Sequence, residues 1–338
     1  MAYRSLLPWP VIVIGQVTVA VLGLAVAAVL AYYAFVYYPT DLVELIGVIL
    51  LIVLGVVGFK VGGNLGGVLF PGYNVAEVAV EGPITRDGGQ ISPTLPGQPS
   101  ADQLVEQIDR ANADPAVEGL LVKLNTPGGE IVPSDDIREA VQRFEGPSVA
   151  YTTDICASGG YWIASGCDAF LARDASIVGG IGVRGSRLNV SGLADRLGIS
   201  HERFIAGTYK DAGTPFRELE SHEREYIQSL IDSHYEAFID RIVEGRELDE
   251  EAVRDTEARV YLGEEANDIG LVDDIGDHAD AESRLAEKLD LPAVRVRQFR
   301  PEQPITVRLR SGIEKVAYAM GLGVASHLVR DEVPLPEH

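Results

Sequence analysis

Residues 10–38 carry no charged side chain; Trp9 opens the run, and Tyr32, Tyr33, Tyr37 and Tyr38 close it. At about 1.5 Å per residue, a helix of this length exceeds the roughly 30 Å hydrocarbon core of a bilayer. Aromatic residues at both ends form the belt that sits at the headgroup level. A second apolar run, 45–59, continues past Lys60 into a glycine-rich stretch ending at Phe70. The pattern predicts an N-terminal membrane region over residues 1–70 with two spans, about 10–38 and 45–69, joined by a turn at 39–44. A cleaved signal peptide would have a shorter apolar region, roughly 7–15 residues. A single span followed by an interfacial helix is the competing arrangement. The two differ in sidedness. With two spans, Arg4 and Lys60 both lie on the cytoplasmic side and the soluble part follows them there. With one span the soluble part lies outside.

From Asn74 the pattern changes. Residues 75–84 read as a strand ending at the Gly82-Pro83 turn, and 86–100 as a Gly/Pro/Ser-rich loop. Leu104, Val105, Ile108 and Ala111 have helical spacing over 101–112. A short apolar strand follows at 119–124, then a helix over 135–144 capped by Ser134, then a strand at 148–152. A helix over 160–166, a strand at 169–172 and a glycine-laced turn at 177–183 come next. A long acidic helix runs over 221–244, with a shorter one at 250–256. Strands alternating with helices imply an α/β domain, a mainly parallel sheet with crossover helices, over 74–290. Residues 291–338 form a C-terminal extension in which 313–329 could make an amphipathic helix.

Charge narrows the partners. The chain has 50 Asp+Glu against 28 Lys+Arg, a net charge of −22, nearly all of it outside the apolar N-terminal region. Nucleic-acid binding needs a basic stripe, so nucleic acid is excluded as a partner. Few lysines among many acids match the surfaces of salt-loving microbes, where ion pairs are heavily screened. Cys156 and Cys167 have no CxxC or His/Cys companion spacing, so no metal site is expected, and no cofactor motif occurs.

Candidate chemistry begins at Ser158, in Ile155-Cys156-Ala157-Ser158-Gly159-Gly160-Tyr161-Trp162. A nucleophilic serine needs an exposed tight turn in which small residues let the substrate approach. Asn125-Thr126-Pro127-Gly128-Gly129 follows a buried strand and precedes a helix. Such a turn can aim backbone N–H groups at an oxyanion, a term of about 3 kcal/mol per donor. The amides of Gly129 and Gly159 are the candidate donors, and Thr126, Pro127 and Gly128 the candidate substrate groove, where a peptide would add as a strand. Lys210, one of five lysines, lies in Gly207-Thr208-Tyr209-Lys210-Asp211 and is the candidate general base. Lysine suits that role because burial readily favours its neutral form. Asp211 would oppose this if it faced the ammonium, so it should point elsewhere. His201 is the rival base.

In register, Thr-Pro-Gly-Gly, Ala-Ser-Gly-Gly-Tyr-Trp, Gly-Thr-Tyr-Lys-Asp, Gly263-Glu264-Glu265-Ala266 and Gly270-Leu271-Val272-Asp273 resemble the signal peptide peptidase A family of membrane-bound Ser/Lys peptidases. The resemblance spans about 74–290. It implies a ClpP/crotonase-like fold, Ser158 as nucleophile and Lys210 as base. It also implies leftover signal peptides and other hydrophobic peptides as substrates, and homo-oligomeric rings or domes in which Ser and Lys can come from neighbouring subunits. The family usually holds its catalytic domain outside the cytoplasm, opposite to the two-span charge bias. One departure stands out: Gly180 occupies the place where the family usually has a serine bonded to the lysine, which leaves Ser176 or water to orient Lys210. Two other readings remain, a crotonase-type acyl-CoA enzyme and a catalytically inactive membrane scaffold of the same fold.

Overall fold

The computed structural model describes residues 9–33, 37, 42–88 and 98–301. Two helices, α1 (Trp9–Tyr32) and α2 (Leu42–Leu69), open the chain. By length and composition, one helix among the described residues can cross a membrane, Pro10–Tyr32, where two spans are expected. The second segment is a helix too, with Lys60, Asn64 and a run of glycines in its second half. Its glycines form a packing surface. Gly58, Gly62 and Gly66 lie against Gly23, Val19–Ala20 and Gln16 of α1, at the four-residue spacing that lets helix backbones touch. Gln16 Nε2 closes the pair by donating to the carbonyl of Phe70 at 2.8 Å.

The remaining elements, in chain order, are β1 (Val75–Glu81), α3 (Ala101–Ala113), β2 (Gly119–Thr126), α4 (Ile131–Gln142), β3 (Ser148–Ala157), α5 (Gly159–Ala164), β4 (Ala169–Ala172), β5 (Ile177–Gly179), α6 (Ser191–Arg196), α7 (Ser221–Arg246), α8 (Glu250–Asp255), β6 (Val260–Leu262), α9 (Gly263–Asp268), β7 (Asp274–Ile275), α10 (His278–Lys288) and β8 (Val296–Gln298). The sheet is parallel except where β5 meets β6, in agreement with the expected α/β class. Strand β8 pairs with β1 and so extends the sheet past residue 290, beyond the expected domain boundary. The possible helix at 313–329 lies outside the described residues.

Alternation along the strands sorts side chains to two faces. Ala76, Val78, Leu120, Val122, Ala150 and Phe170 meet the helices of one face. Val75, Leu121, Val149, Tyr151 and Leu171 meet Ala281 and Leu285 of α10 on the other. Helix α3 begins at a capping box between Ser100 and Gln103. Ser134 is not the cap of α4: the helix starts at Ile131, and Ser134 sits buried within its first turns, donating to the carbonyl of Glu130 at 2.8 Å. The Gly128-Gly129 turn brings the chain onto the helix earlier than a serine cap would. Both cysteines are free and buried, Cys167 pushed up to about 12 by burial, so they act as core residues.

Candidate active site

Strand β3 forks the sheet. Its first half, Val149–Thr152, pairs with β4; its second half, Ile155–Ala157, pairs with β5. The register against β2 shifts between Leu124 and Thr126, opposite this fork. The shift turns the end of β3 out of the main sheet, and Ser158 is the next residue. It holds φ 53° and ψ −121°, a conformation that costs a non-glycine residue about 1–3 kcal/mol and survives only where its surroundings enforce it. Its amide donates to Gly179 at 2.9 Å and its carbonyl accepts from Trp162 at 3.0 Å, the first turn of α5.

The glycine turn after β2 lies directly against this serine. Gly128 has φ +90°, and a Cβ there would stand 2.6 Å from the Gly159 nitrogen and 2.7 Å from Ser158 Cβ. Thr126 is fully buried and spends its hydroxyl on the Gly128 amide at 3.0 Å, so it holds the turn, while Pro127, Gly128 and Gly129 line the cavity. The strand end at Ile84 grips the turn from the other side, bonding to Gly128 at 3.0 Å and to Glu130 at 2.9 Å. Among the described residues, the amides of Gly129 and Gly159 donate to no protein acceptor.

Ser158 opens onto a cavity of about 880 Å³. Its walls include Pro83, Ile131, Trp162 and Val183, with Ile231, Tyr235 and Phe238 from α7. Trp162 stacks on Phe238 at 4.6 Å between ring centroids and donates its indole N–H to Asp135 at 2.8 Å. Sequence reasoning passed over the α7 residues as part of an acidic surface helix. The signal was there: Ile231, Tyr235 and Phe238 recur at helical spacing on one stripe of it.

Among the described residues, no lysine or histidine lines this cavity and the Ser158 hydroxyl has no hydrogen-bond partner. Lys210 and His201 are both exposed and stand on the segment between α6 and α7. His201 stacks on Phe216 at 5.2 Å. Lys210 makes no ion pair among the described residues. Asp211 does point away from it, to Arg203 at 2.6 Å and Arg217 at 3.3 Å. Arg217 also bonds the buried carboxylate of Glu223 in the first turn of α7. Those bonds hold the Glu223 carboxyl down at about 2. The segment around Lys210 is therefore pinned at its C-terminal end while its apolar residues stay exposed. Leu188, Leu193, Leu197, Phe204 and Tyr209 all face outward.

Ser176 does not serve the lysine. It is buried and donates to the carbonyl of Thr153 at 3.1 Å, at the fork of β3. Gly180 approaches Ser158 itself: a Cβ there would stand 3.5 Å from the Ser158 nitrogen. The Gly270–Asp273 motif is structural. Asp273 takes both nitrogens of the buried Arg246 guanidinium at 2.7 and 2.8 Å and the Phe170 amide at 2.6 Å, and Leu271 accepts the Tyr161 hydroxyl at 2.8 Å.

The family model "Peptidase family S49" matches residues 140–292. "Putative protease MJ0651" of Methanocaldococcus jannaschii is 31% identical over 287 residues, 84% of this chain and 88% of that protein. "Putative signal peptide peptidase SppA" of Enterococcus faecium is 31% identical over 230 residues, 67% of each. "Putative protease slr0021" of Synechocystis is 33% identical over 211 residues, 60% of this chain and 76% of the relative. The forked, mainly parallel sheet fits the ClpP-like architecture of the family, and the turn bearing Ser158 and the following helices fall within the matched region. This chain is a member of peptidase family S49, the signal peptide peptidase A family.

Proposed function

We propose that this chain is a membrane-anchored serine endopeptidase whose Ser158 is activated by Lys210 of a neighbouring copy. One observation carries the reading: Ser158 stands in a preformed cleft with no lysine or histidine among its described lining residues, while Lys210 stands exposed on a segment rich in outward-facing apolar residues. Docking that segment on another copy would cover the apolar side chains and bring a lysine to a serine. It would also desolvate the amine, which favours its neutral form.

In the reaction, the Lys210 amine takes the Ser158 Oγ proton as Oγ attacks the peptide carbonyl carbon. The negative oxygen accepts from the Gly129 and Gly159 amides. Lys210 then gives its proton to the leaving amine, and the acyl-enzyme forms. Water, deprotonated by the same amine, hydrolyses the ester and restores the serine. The apolar walls favour hydrophobic peptides such as cleaved signal peptides, which the helix Pro10–Tyr32 would meet at the membrane.

The test mixes two inactive variants. Ser158→Ala and Lys210→Ala should each abolish hydrolysis of a fluorogenic hydrophobic peptide, and their co-assembled mixture should recover part of it. Full activity of Lys210→Ala rejects the dyad. A mixture that co-assembles yet stays inactive places the dyad within one chain.

A further inference from the structure

We propose that Arg184 makes this cleft selective for peptides that present a carboxylate beside the scissile bond. The proposal rests on the cavity being the peptide cleft. Among the described residues lining it, Arg184 is the one basic residue. Among the described residues, ten arginines of the soluble part are paired with carboxylates. Arg184 is not: among the described residues it forms no ion pair or hydrogen bond. Two carboxylates share the cavity with it, and both are already engaged. Asp232 accepts from Gln228 at 2.7 Å, and Glu257 pairs with Arg259 at 2.9 Å.

Arg184 stands exposed in the cavity wall, on a segment anchored at Gly180 and packed at Gly185. Gly180 donates to the carbonyl of Arg259 at 2.8 Å, and Gly185 sits against Ile231 of α7, within 3.0 Å of any Cβ placed there. A guanidinium beside apolar walls offers a planar fork suited to bidentate carboxylate binding. The ligand group is a carboxylate, supplied either by an Asp or Glu side chain or by a free C-terminus.

Binding to the Ser158→Ala protein separates this from the hydrolytic reading, because it needs no catalysis. Fluorescence anisotropy with dye-labelled Leu/Ala peptides would compare three forms: C-terminal amide, free C-terminal carboxylate, and amide with one internal Glu scanned along the sequence. At least one carboxylate form should bind between about 10- and 100-fold tighter than the neutral amide. Which form wins identifies the source. Adding Arg184→Gln should bring that ratio to about one, and Arg184→Glu should invert it in favour of a Lys-bearing peptide. Arg143→Gln, on a distant exposed helix end, should leave the ratio as it was. A ratio near one in the starting protein, or one unmoved by Arg184→Gln, overturns the proposal. Hydrolysis that persists in Ser158→Ala or Lys210→Ala, with the ratio intact, would count against the Ser/Lys reading alone.

Discussion

The amide of Ser158 donates to the carbonyl of Gly179 at 2.9 Å, and this bond joins the Ser158 turn to the segment that runs on to Arg184. On the opposite side Ser158 touches Gly128. Its strained conformation is thus held between β5 and the turn after β2. Neither neighbour is close in sequence, so the sheet's fork is what makes the turn possible.

Gly128→Ala should therefore damage catalysis more than folding. A methyl group at φ +90° would press on the Gly159 nitrogen and Ser158 Cβ, displacing both the oxyanion donor and the serine. Misplacement by about 1 Å is enough for a loss of roughly 100-fold. The measurement is kcat for a fluorogenic peptide beside the urea midpoint. Unchanged kcat would show that this turn does not shape the site.

Asp273→Ala should do the reverse. It strips a deeply buried guanidinium, Arg246, of both its bonds and leaves the Phe170 amide unpaired. Breaking a buried pair from one side costs about 3–5 kcal/mol. Denaturant unfolding should show a loss of that size. Protein that folds with native stability would mean the motif has some role other than anchoring.

The sequence made the strands and helices around Ser158 readable because their apolar spacing is local. Val75–Glu81, Ala169–Ala172 and Ser221–Arg246 lie close to where periodicity puts them. Strand β8 was illegible: three residues on a sheet edge, two of them facing water, carry no pattern of their own and form a strand only because β1 offers a partner. Ser134 misled for a related reason. Its residue type suits a cap, but a glycine turn upstream had already started the helix. In the site, the tight turns at Ser158 and Gly128-Gly129 were legible by residue type, and the structure sets them against each other. The cavity wall from α7 was not, because nothing local tells an acidic helix which stripe will face a cleft. Ser176 was assigned a catalytic neighbour, yet its burial at the β3 fork commits it to backbone.

The Glu223 carboxyl lies lower in the folded chain than in the unfolded one, at about 2, because Arg217 donates to it. Such a group adds stability above its unfolded value, about 4.3, and that addition disappears as the pH falls toward 2. Glu223→Gln should therefore be less stable than the parent at pH 6, with the gap closing between about pH 5 and 2. Urea midpoints across that range read it directly. A gap that does not change with pH would show that the Arg217 contact contributes nothing through charge.

Phe204 is 89% exposed, an unusual position for a large apolar ring, and it stands in the segment that carries Lys210. Neighbouring Leu188 and Leu197 are 74% and 66% exposed. Several large apolar side chains exposed along one segment are the kind of surface that docks on a partner. If the segment docks on another copy, Phe204→Glu forces a charge into that contact without touching Ser158 or Lys210. The detergent-solubilised protein should then dissociate at concentrations where the parent is assembled, as read by sedimentation velocity. Hydrolysis should fall with assembly, because each Ser158 would lose the lysine delivered by its neighbour. Raising the protein concentration should restore both together. Full hydrolysis by dissociated Phe204→Glu would leave a single chain sufficient, and Lys210 would then have to reach Ser158 by folding back over its own cleft.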